Sequence, residues 1–281
     1  MKMGLKSLPP MTFNTSRLLV ATVLCWIIVY ALKVNKRVAS EDWPGIIMIS
    51  LFGFALPQIG ITLGVNLTSA GNSALIMALV PISVWIINRF LYNEDMNRWI
   101  TLGVFLSFLG VVFVILGTGQ GIHVSKSDLT GILMLLGSQF GAAYFTVSSG
   151  SLVEKYSQYQ VIAYCMTISS IVFMVLSPGG LIQTNWSALP GTAWFSIVYS
   201  GVFALAAGNF IWVWAVKEVG STRTAVFNSL TPLFAILTGY IFLGEKFRLL
   251  QFVGAAVILA GLIMTQKGQR NRAAENDQIS S

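Results

Sequence analysis

TSAGNSALIMALVPISVWIINRFLYNE, residues 68–94, and STRTAVFNSLTPLFAILTGYIFLGEKF, residues 221–247, are the two stretches that decide the fold. Laid over one another at a shift of 151 positions, Pro81 falls on Pro232, Ala74 on Ala225, Leu79 on Leu230 and Glu94 on Glu245. The frame continues downstream, with Gly103 on Gly254 and Gly110 on Gly261, and upstream, with Phe52 on Phe203 and Ala55 on Ala206. Apolar coincidences are common in an apolar chain. A shared frame of Pro, Glu, Gly and Gly is not, so the sequence contains an internal repeat.

Each of the two stretches carries an apolar run of the ~20 residues that a helix needs to cross hydrocarbon. Outward from them, nine such runs are found, at about 13–32, 44–67, 73–92, 99–117, 129–150, 159–178, 191–216, 224–243 and 249–266. Composition agrees: 55% of the 281 residues are apolar, 10% are charged, and the mean hydropathy is +0.76. A soluble domain carries roughly 25% charged residues, and this chain has too few to cover a water-facing surface. The net charge of +7 does not point to nucleic acid, because the basic residues lie between apolar runs rather than in one patch. Cys25 and Cys165 both fall inside apolar runs and read as small buried hydrophobes. Met1 to Met11 lacks a signal-peptide pattern.

Lys and Arg in alternate links set the orientation. Lys33, Lys36, Arg37, Arg89, Arg98, Lys155, Lys217, Arg223, Lys267, Arg270 and Arg272 fall on one side; Lys2, Lys6, Arg17, Lys126, Lys246 and Arg248 fall on the other. The richer side holds the C-terminal tail, which is therefore expected in the cytoplasm of a cell inner (plasma) membrane. The 151-residue shift steps five spans forward, and five is odd, so the two copies enter the membrane in opposite directions. Inverted-topology repeats characterise secondary transporters, in which one midplane site must face each side in turn. The second copy opens with the run at 129–150, whose counterpart would precede Met1. The fold class is thus all-α: a polytopic membrane helix bundle of two inverted five-helix repeats, with nine helices visible and the first missing. Truncation or a mis-assigned start is preferred here to a genuine nine-helix protein.

SLPPMTFNTSR (Ser7 to Arg17) resembles the link before the second helix of EamA-type permeases of the drug/metabolite transporter superfamily. Residues 68–94 resemble that family's fourth helix, and residues 221–247 its ninth, including the Gly-Glu that precedes the last helix. The resemblance implies ten helices, both ends cytoplasmic, and a central cavity for export of metabolites, amino acids or drugs. It divides the chain into a first repeat at 1–119, a second at 127–268 and a disordered cytoplasmic tail at 269–281.

Polar groups in hydrocarbon are costly and mark partner helices or watery cavities. Gln58 and Asn209 are repeat equivalents well inside their runs, preceded by Pro57 and Gly208, which loosen the helix. Two amides facing one cavity suit a zwitterionic or amide-bearing ligand. Gln139, Tyr144, Tyr199, Trp212 and Asn228 complete the candidate substrate-binding set; Trp212 shares a helical face with Asn209. Arg17 and Arg89 lie near helix ends and read as snorkelling to the interface. Pro81 and Pro232 are candidate hinges in the matched helices. Gly103, Gly110, Gly254 and Gly261 are spaced by seven and suit close helix packing, within the chain or across a homodimer.

Catalytic constellations are missing from the sequence: His123 has no metal-ligand company, and no carboxylate pair sits at membrane depth. No metal and no cofactor is expected; the partners are a small-molecule substrate and the lipid bilayer. Glu94 and Glu245, in equivalent links, read as helix-orienting groups, which favours a facilitator or exchanger over proton coupling. The alternatives are a non-transporting membrane subunit, a truncated inactive permease and, less favoured, an integral membrane enzyme.

Overall fold

The computed structural model describes residues 8–68, 73, 76–93, 97–117, 128–230 and 249–280, with side chains in the last helix to residue 268. The described residues form helices and links and no strand. The principal helices are α1 (Pro10–Ala31), α2 (Ser40–Leu67), α3 (Val80–Phe90), α4 (Arg98–Gly117), α5 (Asp128–Lys155), α6 (Gln158–Leu176), α7 (Gly191–Val219), α8 (Ser221–Phe227) and α9 (Leu249–Ser280). Seven of them, all but α3 and α8, are long and apolar enough to cross a bilayer. The runs expected at 73–92 and 224–243 lie partly outside the described residues.

The chain forms two compact units. One joins the residues up to Leu63 with Tyr144–Glu218; the other joins Gly64–Ala143 with Val219 onward. In the first unit, α1 begins with Pro10 in its first turn, where a missing N–H costs nothing. Its apolar residues Leu18, Cys25 and Val29 meet Ile46 and Phe54 of α2, Phe145 of α5, Met166 and Phe173 of α6, and Val213 of α7. Polar stitches add to this core: Trp26 Nε1 donates to Thr167 Oγ1 at 2.9 Å, and the Thr22 and Ser170 hydroxyls lie 2.9 Å apart. Large apolar side chains such as Val23, Ile27, Val175 and Phe195 remain exposed, as befits helices solvated by lipid rather than water.

One end of this unit is closed by the link after α1. Fully buried Gln160 accepts from Lys36 N at 3.0 Å and donates to Lys36 O at 2.6 Å. Tyr156 Oη accepts from Ala39 N at 3.0 Å and donates to Asp42 at 2.7 Å, while Lys155 pairs with the same carboxylate at 2.7 Å.

The second unit is dominated by α4 lying against α9. A Cβ built on Gly110 would stand 2.8 Å from Gly254 O, and one on Gly254 would stand 2.7 Å from Gly110 O. Gly103 and Gly261 repeat this arrangement one heptad along, at 2.6 and 2.7 Å. All four glycines therefore bring two backbones together within the chain. Ile100, Val104 and Val226 form a small core with Trp85 and Leu262 against it. Buried Asn88 on α3 donates to Ser221 Oγ at 2.9 Å and Thr222 Oγ1 at 3.0 Å, fixing the start of α8.

Three expectations change. Pro81 is not a kink inside a helix: the chain turns at Ala78 and Leu79, and α3 starts at Val80 with Pro81 in its first turn. Pro232 lies outside the described residues. The polar tail is helical rather than disordered, since α9 continues to Ser280; Gln, Arg, Ala and Glu are good helix formers. Arg17 does not snorkel, as described next.

Candidate functional site

The site is assembled in the first unit, around two departures from α-helical geometry. Ile49–Ala55 of α2 and Ser200–Ala207 of α7 are π-helical. They are repeat equivalents, since 49 plus 151 is 200. The widened turn closes where Leu56 N–H bonds Leu51 O, five residues back, and where Gly208 N–H bonds Phe203 O. In α2 the cause is local: Pro57 has no N–H and its ring crowds the carbonyl four residues earlier, so a wider turn moves that carbonyl aside. In α7 the equivalent residue is Gly208, which supplies no such steric push.

Gln58 and Asn209 follow these segments directly. Gln58 is half-buried, and its Oε1 accepts from Arg17 Nη2 at 3.3 Å. Its backbone carbonyl accepts from Thr62 Oγ1 at 2.6 Å, and Thr62 accepts in turn from Asn14 Nδ2. Arg17 and Asn14 are three residues apart on α1, and Gln58 and Thr62 are four apart on α2, so two helical faces meet in one polar strip. Gly201, in the second π segment, rests on the same turn of α1: a Cβ there would be 2.8 Å from Arg17 O. Arg17 thus sits between Gln58, at the end of one π segment, and the other π segment itself.

Arg17 is 5% exposed, with its guanidinium 5.9 Å from the Phe13 ring centre and its Nε buried without a partner. Snorkelling fails because packed helices surround this turn of α1: every residue from Thr12 to Leu18 is buried. Arg89, by contrast, is exposed in the last turn of α3.

The other candidates divide. Asn209 is half-buried but donates to its own helix, at Leu205 O, 2.7 Å away. Trp212 Nε1 donates to Thr146 Oγ1 at 3.1 Å, and Tyr144 packs against the core of the same unit. Tyr199 is not buried among these: it is 54% exposed and lies between Phe195 and Phe203, with ring centres 5.6 and 5.0 Å away. It shares an exposed aromatic stripe of α7 with Phe195 and Phe203. Gln139 and Asn228 belong to the second unit, where Gln139 is buried with Nε2 unpartnered and Asn228 is half-buried at the start of a short 3-10 helix, Asn228–Leu230. Glu94, Glu245 and His123 lie outside the described residues. Among the described residues, no three of His, Cys, Asp and Glu gather as a metal site requires.

Sequence reasoning passed over Asn14, Thr62 and Asn88. The signal was present for the first two, as polar residues at helical spacing facing Arg17 and Gln58. Nothing local marks Asn88, whose partners come from a distant segment.

Residues 1–116 and 129–266 match the EamA-like transporter family. An uncharacterized transporter of Archaeoglobus fulgidus is 25% identical over 262 residues, covering 93% of this chain and 90% of the relative. The uncharacterized transporter YdfC of Bacillus subtilis is 26% identical over 264 residues, covering 93% and 83%. A probable terminal-alkyne amino-acid exporter of Streptantibioticus cattleyicolor is 23% identical over 274 residues, covering 98% and 90%. One crystal structure of a protein superposes with a TM-score of 0.78 at 15% identity, covering 92% of this chain and 89% of that one. That likeness bears on the fold alone.

Proposed function

The chain belongs to the EamA-like transporter family and is a multi-pass membrane transporter, and we propose that it exports a small zwitterionic metabolite by alternating access. The observation that carries this reading is the polar strip of Arg17, Gln58, Thr62 and Asn14 set beside two repeat-equivalent π segments. A bundle that only needed to be stable would have little use for so many polar groups at this depth. Repeat-equivalent irregularities entering from opposite directions suit a carrier whose halves exchange roles. The printed name of the Streptantibioticus cattleyicolor relative supports an amino-acid-like substrate. Gln58, Asn209, Tyr144 and Trp212 line the path in this reading, and the protein is a carrier rather than an enzyme. The C-terminus is cytoplasmic and the membrane is the plasma membrane. Because the four glycines are engaged within the chain, a homodimer would use another surface.

The test is counterflow of radiolabelled L-amino acids in liposomes containing the purified chain. Saturable exchange is expected, with a loss of tenfold or more in a Gln58→Ala/Asn209→Ala double variant that melts normally. Unchanged flux and selectivity in that variant would remove both residues from the path. Uptake driven by a pH gradient, and abolished in a folded Glu94→Gln/Glu245→Gln variant, would replace exchange with proton coupling.

A further inference from the structure

We propose that Arg17 is the residue that binds the carboxylate of the transported substrate. The assignment rests on the transport reading above, and it starts from a cation left without its complement. Arg17 stands seven residues after Pro10, about 10 Å along the helix at 1.5 Å per residue. Its guanidinium has five N–H donors, yet among the described residues it finds one acceptor, Gln58 Oε1, at 3.3 Å. That distance lies beyond the usual range for such a bond. Its Nε is buried without a partner, and no carboxylate among the described residues pairs with it.

A buried charge left this way destabilises the fold. If the side chain only filled space, leucine or methionine would serve better. A guanidinium offers a planar fork that matches a carboxylate through two parallel hydrogen bonds. Asn14, one turn earlier on the same face, keeps its Oδ1 buried and unpartnered and can accept from a donor on the same molecule. Gln58 is half-buried, so its side of the strip is the side of approach. A small carboxylic acid bearing an amine fits these unused groups. The incoming carboxylate would take over from Gln58 as the acceptor.

The experiment measures melting of the purified full chain in detergent against four sets of probes: the twenty L-amino acids, their primary amides, sodium phosphate and sodium chloride. One or more amino acids should raise the midpoint saturably, with the matching amide binding at least tenfold more weakly. Arg17→Gln should weaken that binding at least tenfold, and Arg17→Lys should retain part of it. Without ligand, Arg17→Gln and Arg17→Met should melt at or above the parent, because the unpaired charge is gone.

The assignment is overturned if no amino acid stabilises the chain or if amides match acids. It also fails if phosphate or chloride matches the acids, if Arg17→Gln binds as the parent does, or if both neutral variants melt well below it. Liposome flux separates the two readings. A parent that binds acids through Arg17 but carries nothing sinks transport and leaves the assignment. A parent that transports, beside an Arg17→Gln variant that binds and transports equally, sinks the assignment and leaves transport.

Discussion

Replacing Gly110 by alanine tests the packing of α4 on α9 more sharply than any larger change. The added Cβ would lie 2.6 Å from Ile258 N, 2.7 Å from Ile258 Cγ1 and 2.8 Å from Gly254 O. Comfortable separations are about 3.5–4.0 Å, so the deficit is about 1 Å, and two of the three atoms are backbone that cannot rotate aside. The helices must part. Overpacking of this kind costs about 1–3 kcal/mol, and alanine returns up to ~1 kcal/mol through its higher helix propensity. Because two of the clashing atoms are backbone, the cost falls in the upper part of that range, and a net loss of about 1–2 kcal/mol follows. Gly45→Ala is the control, because a Cβ there has nothing within 4 Å and only the propensity gain should remain. Gly110 and Gly254 touch, so the double alanine variant should lose less than the sum of the singles. Reversible unfolding in mixed micelles reads the parent, the two single variants, the double variant and the Gly45→Ala control. If Gly110→Ala unfolds with the parent while Gly45→Ala is unaffected, the close backbone approach is wrong; additive singles would show that the two glycines do not share one contact.

Asn88→Ala removes two buried hydrogen bonds from the second unit and should cost about 1–3 kcal/mol; in a cycle with Ser221→Ala and Thr222→Ala the losses should overlap strongly rather than add. Gln160→Leu should lower the melting midpoint clearly, because it strips Lys36 N and O of buried partners, whereas Lys155→Gln should leave the midpoint unchanged, since that side chain is 60% exposed. Trp212→Phe keeps an aromatic ring, though a smaller one, but loses the bond to Thr146, so liposome flux should fall while the midpoint moves little. A large midpoint shift without a flux change would make this contact purely structural.

The sequence held the coarse fold because its signals are local and repeated. Apolar runs of helical length and a frame of Pro, Glu and Gly survive any detail of packing. The glycine pairs were legible for the same reason: a spacing of seven puts Gly103 and Gly110 on one face whatever that face meets. Arg17 was misread because distance from a helix end does not reveal what surrounds that turn. Its neighbours approach from far along the chain, Gln58 on α2 and Gly201 on α7. Tyr199 illustrates the opposite difficulty, since an aromatic in a span can as well face lipid as a pocket; it is 54% exposed, stacked on Phe195 and tilted against Phe203. Asn88 depends wholly on Ser221 and Thr222, 133 and 134 residues away.

The π segments explain a subtler failure of wheel reasoning. One residue in an α-helix advances the phase by about 100°, from 3.6 residues per turn, and a π bulge in effect inserts one residue. Everything after Ala55 in α2 therefore faces about 100° away from where an unbroken wheel puts it. Gln58 should be misplaced in any projection drawn from Trp43, yet it reaches Arg17 on the neighbouring helix. Asn209 carries the same offset, because its segment begins at the equivalent residue. The repeat thus preserves the equivalence of the two amides even though it changes where both point. What separates them is the neighbour: Gln58 meets a guanidinium, while Asn209 turns back on Leu205 O. The backbone of this site is symmetric between the repeats and its chemistry is not: the charge lies on the α1–α2 side, against Gln58, and nothing ionic among the described residues answers it at Asn209.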